Sequence, residues 1–468
     1  MSDVFSQGVR DSDHTSSMPP EVLSTILVLA KGNTGPDEDD DTDTGAKEVL
    51  PIELVVSHVS AYWRSVAIGT RQLWRYIVVR PSQSVEKLCA YLENSAPYPL
   101  HIWLDLTQNP LDVEAVTEKL DHLFLHLGRW ARFTIHSSIE RSEIPVVSRM
   151  YDVSAPFLEH LGLCINDIDS ENLKSIRRTD LEQILTLGCP RLSVLRLRGL
   201  SMHFFRPPLT SITTLYLEQT RGLFIGFQRF SDLLTASPAL AHLSIHDAII
   251  DDVVDTWPFE YRIPLPNLIS LRISFPGVQP IFSEVLVSIV APQLESLVLK
   301  EVGETHLDRF FGTPECSGKF PRLRKLTFCD FDYRSDERVD AICAALPSIT
   351  ELTCIHSTAH PLKILQMMAG LRTNFAGATT DVPWPHLHTF STTLDIEDFA
   401  LVRDAMELRK KVGCPLRLLR LSGVLDELDE DDEDDLEWLQ ENMTVEKFSA
   451  VDRWPPGSEY DPDDNLFV

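Results

Sequence analysis

The stretch PRLSVLRL, residues 190–197, decides the fold, because its pattern recurs along most of the chain. The pattern is P-x-L-x-x-L-x-L, in which x is any residue and the last two leucines are separated by a single residue. Alternation of apolar and polar residues is the period of a β-strand with one buried face. The pattern therefore predicts a strand in every copy. The best preserved copies are PALAHLSI at 238–245, PNLISLRI at 266–273, PQLESLVL at 292–299 and PRLRKLTF at 321–328.

The spacing of the copies indicates a repeat architecture. The central apolar residue stands at positions 161, 195, 215, 243, 271, 297, 326, 352, 390 and 419. The mean step is about 28 residues, which is the leucine-rich-repeat period. Between the strands, apolar residues at helical spacing predict helices near 181–187, 227–234, 282–290, 339–346, 362–368 and 399–408. This alternation predicts an α/β leucine-rich-repeat solenoid, with a parallel sheet on its concave face and helices outside.

Two amphipathic helices are predicted before the repeats. SMPPE at 17–21 has the features of a helix start, and residues 22–30 then place apolar side chains at helical spacing. Pro51 opens a second helix, and Gly69 is placed to end it. The stretch LWRYIVV at 73–79 predicts a strand.

These N-terminal residues resemble an F-box of a type abundant in fungi, which is a small all-α domain. The family pattern is a Leu-Pro-x-Glu helix, a helix that ends in a tryptophan-arginine pair, and a Leu-Trp strand. Met18 and Pro19 stand where a leucine-proline pair is more usual, and an acidic insert lengthens the first loop. The residues that fit the pattern are Pro20, Glu21, Trp63, Arg64, Leu73 and Trp74.

An F-box followed by such repeats resembles the F-box/leucine-rich-repeat proteins. The resemblance implies that the chain docks on the Skp-type adaptor, and through it on the cullin, of an SCF-type ubiquitin ligase, while the solenoid binds a protein substrate. Two other classes of function stay open: a protein-interaction scaffold that acts without the cullin, and an enzyme whose site is not recognisable from motifs. For the helices themselves, the alternative is that they only cap the solenoid. The residues expected to bind the adaptor are Pro20, Leu23, Ile26, Leu27, Val55, Val59 and Trp63. Trp63 is the expected anchor, because tryptophan is enriched at interface hot spots.

The apolar patterns and the acidic segments together divide the chain into four expected regions. They are a disordered N-terminus (1–16), an F-box-like helical domain (17–80, with an acidic insert at 33–48), the solenoid (81–424) and an acidic, disordered tail (425–468). The net charge of −28 argues against partners such as nucleic acid or anionic membrane, both of which attract basic surfaces. Eight widely spaced cysteines, without a secretion signal, predict reduced thiols in the cytoplasm or nucleus.

Catalytic, cofactor and metal motifs are not recognisable in the sequence, so the expected function is not enzymatic. His122 and His126 have the i, i+4 spacing of a zinc site, but Leu123 stands where the glutamate of HExxH would follow. Ser244, His246 and Asp247 lie on one strand and its turn, which does not assemble a catalytic triad. We therefore expect no cofactor and no metal.

The expected substrate surface is a mildly basic stripe between the buried leucines. Its residues are Arg196, Arg198, Arg272, Lys300 and Lys325, with Tyr216 and His246 nearby. Arginine side chains suit carboxylate and phosphate groups, so the stripe predicts a groove for an acidic or phosphorylated segment. The alternative is ordinary solvated strand residues. The chain's own acidic block, 426–435, could fold back and compete for this stripe.

Overall fold

The structure is a computed structural model, and it describes most of the chain. The described residues are 18–31, 50–107, 113–137, 144–166, 182–219, 225–247, 249, 262–274, 281–301, 303, 307, 310, 316, 318–330, 336–355, 364, 368, 383–393, 399–422, 430–447 and 454–455. The expected disordered N-terminus and acidic insert, at 1–16 and 33–48, lie outside these ranges, as does most of the helix expected at 362–368.

One long parallel sheet organises the fold. In the described part of the chain it has 14 strands, which follow one another in chain order. They are β1 (Tyr76–Val79), β2 (Leu100–Leu106), β3 (Trp130–Ser137), β4 (His160–Ile165), β6 (Val194–Gly199), β8 (Thr214–Glu218), β9 (His242–His246), β11 (Ser270–Ser274), β13 (Ser296–Lys300), β14 (Lys325–Cys329), β15 (Glu351–Ile355), β16 (Thr389–Thr393), β17 (Leu418–Ser422) and β18 (Thr444–Lys447). Two small parallel pairs join β5 (Glu182–Gln183) to β7 (Phe205–Arg206) and β10 (Ile263–Pro264) to β12 (Ile289–Val290).

Helices alternate with these strands. They are α1 (Pro20–Lys31), α2 (Ile52–Ser57), α3 (Ala61–Gly69), α4 (Val85–Asn94), α5 (Val113–Phe124), α6 (Ile144–Met150), α7 (Ser201–Phe204), α8 (Phe227–Thr235), α9 (Ile281–Ser288), α10 (Asp336–Ala345), α11 (Phe399–Lys411) and α12 (Glu430–Asn442). Short 3-10 turns lie at Arg71–Trp74 and Leu127–Arg129. The result is a mixed α/β architecture with outer helices, compatible with a solenoid.

The ten central residues of the sequence pattern form one continuous row across the sheet. Leu195 is the register partner of both Leu161 and Leu215, and the pairing continues strand by strand to Phe390 and Leu419. The whole row is buried, in the same hydrophobic core as the apolar residues of the helices. Because neighbouring side chains of a strand point to opposite faces, the residues between the leucines form the other face, here called the polar face.

The chain turns in the same way at the ends of several strands. Asp247, Glu301 and Asp330 directly follow β9, β13 and β14, with φ of 64°, 57° and 54°. Each donates its backbone N–H to the last residue of the next strand, at 2.7 to 3.0 Å. A left-handed backbone is uncommon for residues other than glycine, so its occurrence at the same place in three units indicates that the repeated architecture requires it.

Three local expectations need correction. Residues 182–187 form strand β5 and a turn instead of a helix, because Leu185 has a left-handed φ of 55° that interrupts helical geometry. The helix expected from Pro51 to Gly69 divides into α2 and α3, because the Ser60 side chain caps the second one by accepting from Trp63 N–H. The strand expected at 73–79 begins only at Tyr76, after the 3-10 turn.

The N-terminal helical segment and the described part of the tail both join the long sheet. Strand β1 pairs with β2, and the N-terminal helices contribute to the same core as the repeats. At the other end, the tail expected to be disordered contains helix α12 and strand β18, which pairs with β17. Buried Leu439 and partly buried Trp438 give this segment an apolar side that its acidic composition conceals.

Candidate functional site: two interaction surfaces

The first surface is the exposed side of the N-terminal helices. Helix α1 has aliphatic residues on two sides: Leu23 and Leu27 are buried in the core, at 1% and 2% exposure. Val22, Ile26 and Leu29, spaced four and three residues apart, are exposed on the other side. A helix that is apolar on both sides is normally covered by protein on both sides, unless it has the ~20 residues needed to cross a membrane.

Helices α2 and α3, and the turn between them, also carry exposed aliphatic residues. Val55 follows Pro51 by one helical turn and is 47% exposed, and Val59 is 58% exposed. Ile68, near the end of α3, is exposed as well. The name cap surface is used below for these exposed aliphatic residues of the N-terminal helices and of the turn between α2 and α3. Its members are Val22, Ile26, Leu29, Val55, Val59 and Ile68.

The structure divides the residues expected at the adaptor interface. Pro20, Ile26, Val55 and Val59 are exposed. Trp63 is half-buried and packs against the core. Leu23 and Leu27 are corrected to core residues, because α1 turns that side toward the other helices and the 3-10 turn. Three further exposed residues were not among those expected at this interface, namely Val22, Leu29 and Ile68.

A buried polar network holds the cap surface in place. The Lys31 ammonium lies 2.8 Å from Oε2 of Glu53, and the Tyr91 hydroxyl donates to Oε1 of the same carboxylate over 2.7 Å. These bonds join α1, α2 and α4 across the acidic insert. Burial lowers the pKa of Lys31, and the Glu53 charge opposes that shift. Burial and the Glu53 carboxylate raise the pKa of Tyr91, so its hydroxyl stays protonated as a donor.

The second surface is the polar face of the long sheet. Sheet register places Arg196, Tyr216, Ser244 and Arg272 side by side on β6, β8, β9 and β11. The Arg196 guanidinium stacks over the Tyr216 ring at 4.2 Å. It also forms a buried ion pair with Glu218, 2.5 Å from Nη1 to Oε1.

A residue from the C-terminal tail covers the centre of this row. Trp454 is 6% exposed, and its Nε1 donates to the Ser270 hydroxyl over 2.8 Å. The Arg272 guanidinium lies 4.3 Å from the indole centroid, within cation–π range. Tyr216 meets the indole edge-on at 5.3 Å, and its hydroxyl donates to the Trp454 carbonyl over 3.4 Å. Sequence reasoning missed Trp454, because no local pattern marks a tertiary contact between segments so far apart.

The expected open basic stripe is therefore corrected at its centre. Arg196 and Arg272 are buried, since the first is paired with Glu218 and the second is covered by Trp454. Lys325 is exposed and forms an ion pair of 3.0 Å with Glu351. Glu218 and Glu351 thus each pair with one base of the stripe.

The remaining members of the stripe surround His246. Arg198 and Lys300 are both half-buried. Burial and the positive charges of Arg198, Lys300 and Arg272 lower the pKa of His246 to about 4. His246 is thus uncharged near neutral pH, and the positive charge here comes from its neighbours.

The residues considered for metal or catalytic chemistry have the following surroundings. Among the described residues, no group of three or more histidines, cysteines or acids is close enough to hold a metal. His122 Nδ1 lies 3.6 Å from the Cys89 sulfur, and His126 lies beside Arg129. The Ser244 hydroxyl accepts a bond from Arg272 Nε over 3.1 Å. All eight cysteines are free thiols. Within the described ranges, no helix combines the length and the apolar character needed to cross a bilayer.

Comparisons with known proteins assign no family. No family model matches the chain, and no curated protein matches it either. A solved structure of a Bacteroides fragilis protein, a structural-genomics target, is similar at 17% identity and a TM-score of 0.27. The similarity covers 51% of this chain and 66% of that one, so it spans just under two thirds of the bacterial protein. A likeness this weak carries no argument about fold or function.

Proposed function

We propose that this chain is the substrate-recognition subunit of an SCF-type cullin-RING ubiquitin ligase. In this proposal the cap surface binds the Skp-type adaptor, and the repeats bind a protein substrate. The chain performs no chemistry itself, because the other ligase subunits transfer ubiquitin to the bound substrate. The ligase would work in the cytoplasm or nucleus, where the free thiols remain reduced.

The observation that carries the proposal is the cap surface. Aliphatic side chains scattered singly over a surface need no explanation, but a group of them on one helical unit indicates a protein partner. Here Ile26, Val55 and Val59 are 44%, 47% and 58% exposed. They belong to the segment that resembles an F-box, so the adaptor is the partner that sequence and exposure favour together.

The rigidity of the cap surface supports the same conclusion. The Lys31–Glu53 pair and the Tyr91 hydroxyl fix α1 against α2 and α4. Trp74 adds a bond of 2.9 Å from its indole nitrogen to the Ala67 carbonyl and packs edge-on against Tyr91. An interface that is already ordered loses little conformational entropy on binding, which favours affinity.

The direct experiment is reconstitution from purified proteins. The full-length chain is mixed with a recombinant fungal Skp-type adaptor and run on a size-exclusion column with light-scattering detection. The proposal expects a one-to-one complex, and expects a cullin added to that complex to co-elute. Adaptor binding without cullin recruitment would favour the scaffold that acts without the cullin, and absence of the adaptor complex would refute the proposal.

A further inference from the structure

We infer that the polar face of the long sheet contains a binding site for a tryptophan-bearing polypeptide segment, and that Trp454 is its resident ligand. The site, here called the indole site, consists of Tyr216, His242, Ser270 and Arg272. An external polypeptide with its own tryptophan would compete with Trp454 for this site. The inference rests on the proposed function only where it identifies that polypeptide as the substrate. In this inference, the group from the tail that binds the polar face is an aromatic side chain, whereas the sequence led us to expect the acidic block.

Both parts of the indole ring are recognised in the indole site. The ring nitrogen donates to Ser270 over 2.8 Å, which satisfies the one polar atom of the ring. The ring face receives the Arg272 guanidinium at 4.3 Å, and Tyr216 and His242 stand edge-on at 5.3 and 6.0 Å. A phenylalanine would lack the donor, so the arrangement selects tryptophan among apolar side chains.

The residues of the indole site are held by one another as well as by the ligand. Arg272 Nε donates to Ser244 over 3.1 Å, and its guanidinium also lies 5.7 Å from the Tyr216 ring. Arg196 stacks on Tyr216 at 4.2 Å and is itself fixed by Glu218. These contacts link strands β6 to β11 independently of the tail. The indole site should therefore keep its shape when Trp454 leaves, which a site for exchangeable ligands requires.

The tail is suited to be a displaceable ligand. Six residues of sequence, 448–453, separate strand β18 from Trp454. The linker makes the binding of Trp454 an intramolecular step, so a tethered indole can fill the site with a lower intrinsic affinity than a free peptide needs. An external peptide must overcome this tethered competitor, and only a peptide with its own tryptophan can use the same contacts.

The experiment uses fluorescein-labelled AVDRWPPGSE, the sequence of residues 450–459, and a matched peptide with alanine in place of its tryptophan. Fluorescence anisotropy is measured with full-length wild-type protein and with Trp454→Ala. We expect the tryptophan peptide to bind Trp454→Ala at least about tenfold more tightly than wild type, because the tethered competitor is removed. The alanine peptide should bind neither protein.

Two further variants test the site itself, each made in the Trp454→Ala background. Arg272→Lys keeps the positive charge but loses the planar stacking group, and should weaken the tryptophan peptide about tenfold. Arg420→Lys is the matched control: Arg420 lies in the same row on β17, pairs with Glu446, and should change nothing. Circular dichroism and thermal melts establish that both variants are folded.

The results that would overturn the inference are as follows. Equal peptide affinity for wild type and Trp454→Ala would overturn the occupancy of the indole site by the tail. Equal binding of the two peptides, or equal effects of Arg272→Lys and Arg420→Lys, would overturn the indole site. Adaptor binding is measured on the same samples and should be unchanged, so failure of this inference is distinguishable from failure of the proposed ligase function.

Discussion

The indole nitrogen of Trp454 lies 2.8 Å from the Ser270 hydroxyl, so the C-terminal tail is bonded to the middle of the long sheet. Of the acidic block that we expected to make such a contact, the described ranges include only residues 430–435, which belong to helix α12. Its Asp435 forms an ion pair of 2.7 Å with Arg403, within the packing of α12 on α11. Among the described tail residues, it is therefore the aromatic Trp454 that contacts the polar face.

Replacing Ser270 should loosen the tail. In Ser270→Ala the indole nitrogen loses its acceptor in a buried site, which costs about 1–3 kcal/mol. The tail should then open more often, and trypsin should cleave after Arg453 roughly five- to a hundredfold faster. Mass spectrometry of timed digests measures this rate. Ser296→Ala is the control, because Ser296 is the register partner of Ser270 on the next strand. Similar cleavage rates in both variants would contradict the expected role of Ser270.

Removing the charge of Glu53 should destabilise the cap. Glu53→Gln keeps the shape and the acceptor for Tyr91, but it leaves the Lys31 ammonium buried without its counter-charge. Loss of one partner of a buried pair costs about 3–5 kcal/mol. The urea midpoint of the variant should fall accordingly. Lys31→Met combined with Glu53→Gln should recover much of the loss, and a double variant less stable than the single one would contradict this explanation.

The lowered pKa of His101 predicts that the stability of the folded protein depends on pH. Burial and the charges of Arg75 and Arg132 lower its pKa to about 3, against about 6.5 in the unfolded chain. Below pH 6.5 the unfolded state takes up a proton that the folded state does not. The stability contributed by neutral His101 is thus present above pH 6.5, and it is lost as pH falls toward 3.

The matched variant is His101→Gln, which has no titrating group. The difference in unfolding free energy, wild type minus variant, should decrease with acidification by at most about 1.4 kcal/mol per pH unit below 6.5. Urea titrations at pH 7.5, 6.0 and 5.0 measure it. A difference that stays constant over this range would show that His101 is not held uncharged in the folded protein.

The strands were predictable because their signal is local and repeated. Leu195 and Leu271 stand in the same pattern and were both placed correctly in strands. The turn at Leu185 was not predictable, because its apolar spacing also suits a helix and its left-handed backbone is imposed by tertiary structure. Residues 436–447 did carry a signal: Leu439 and Val445 are apolar positions within an acidic segment, and the charge obscured them.

The candidate surfaces were predictable in outline only. The sequence identified α1 as amphipathic, but it did not tell which apolar side faces the core; Leu23 is inside and Ile26 outside. Likewise, the stripe residues share one face of the sheet as expected. Their burial depends on Glu218 and Trp454, which long-range folding brings to them.

The most direct test of the ligase proposal is the affinity of full-length protein for a Skp-type adaptor, measured by isothermal titration calorimetry. The variants are Ile26→Asp and Val55→Asp, on two helices of the cap surface, and the control is Leu125→Asp, a residue 81% exposed just beyond α5. Each cap variant places a charge in the interface and should weaken binding at least about thirtyfold, the equivalent of ~2 kcal/mol at a hot spot. Leu125→Asp should bind like wild type. Wild-type affinity in both cap variants would contradict the proposal that the cap surface binds the adaptor.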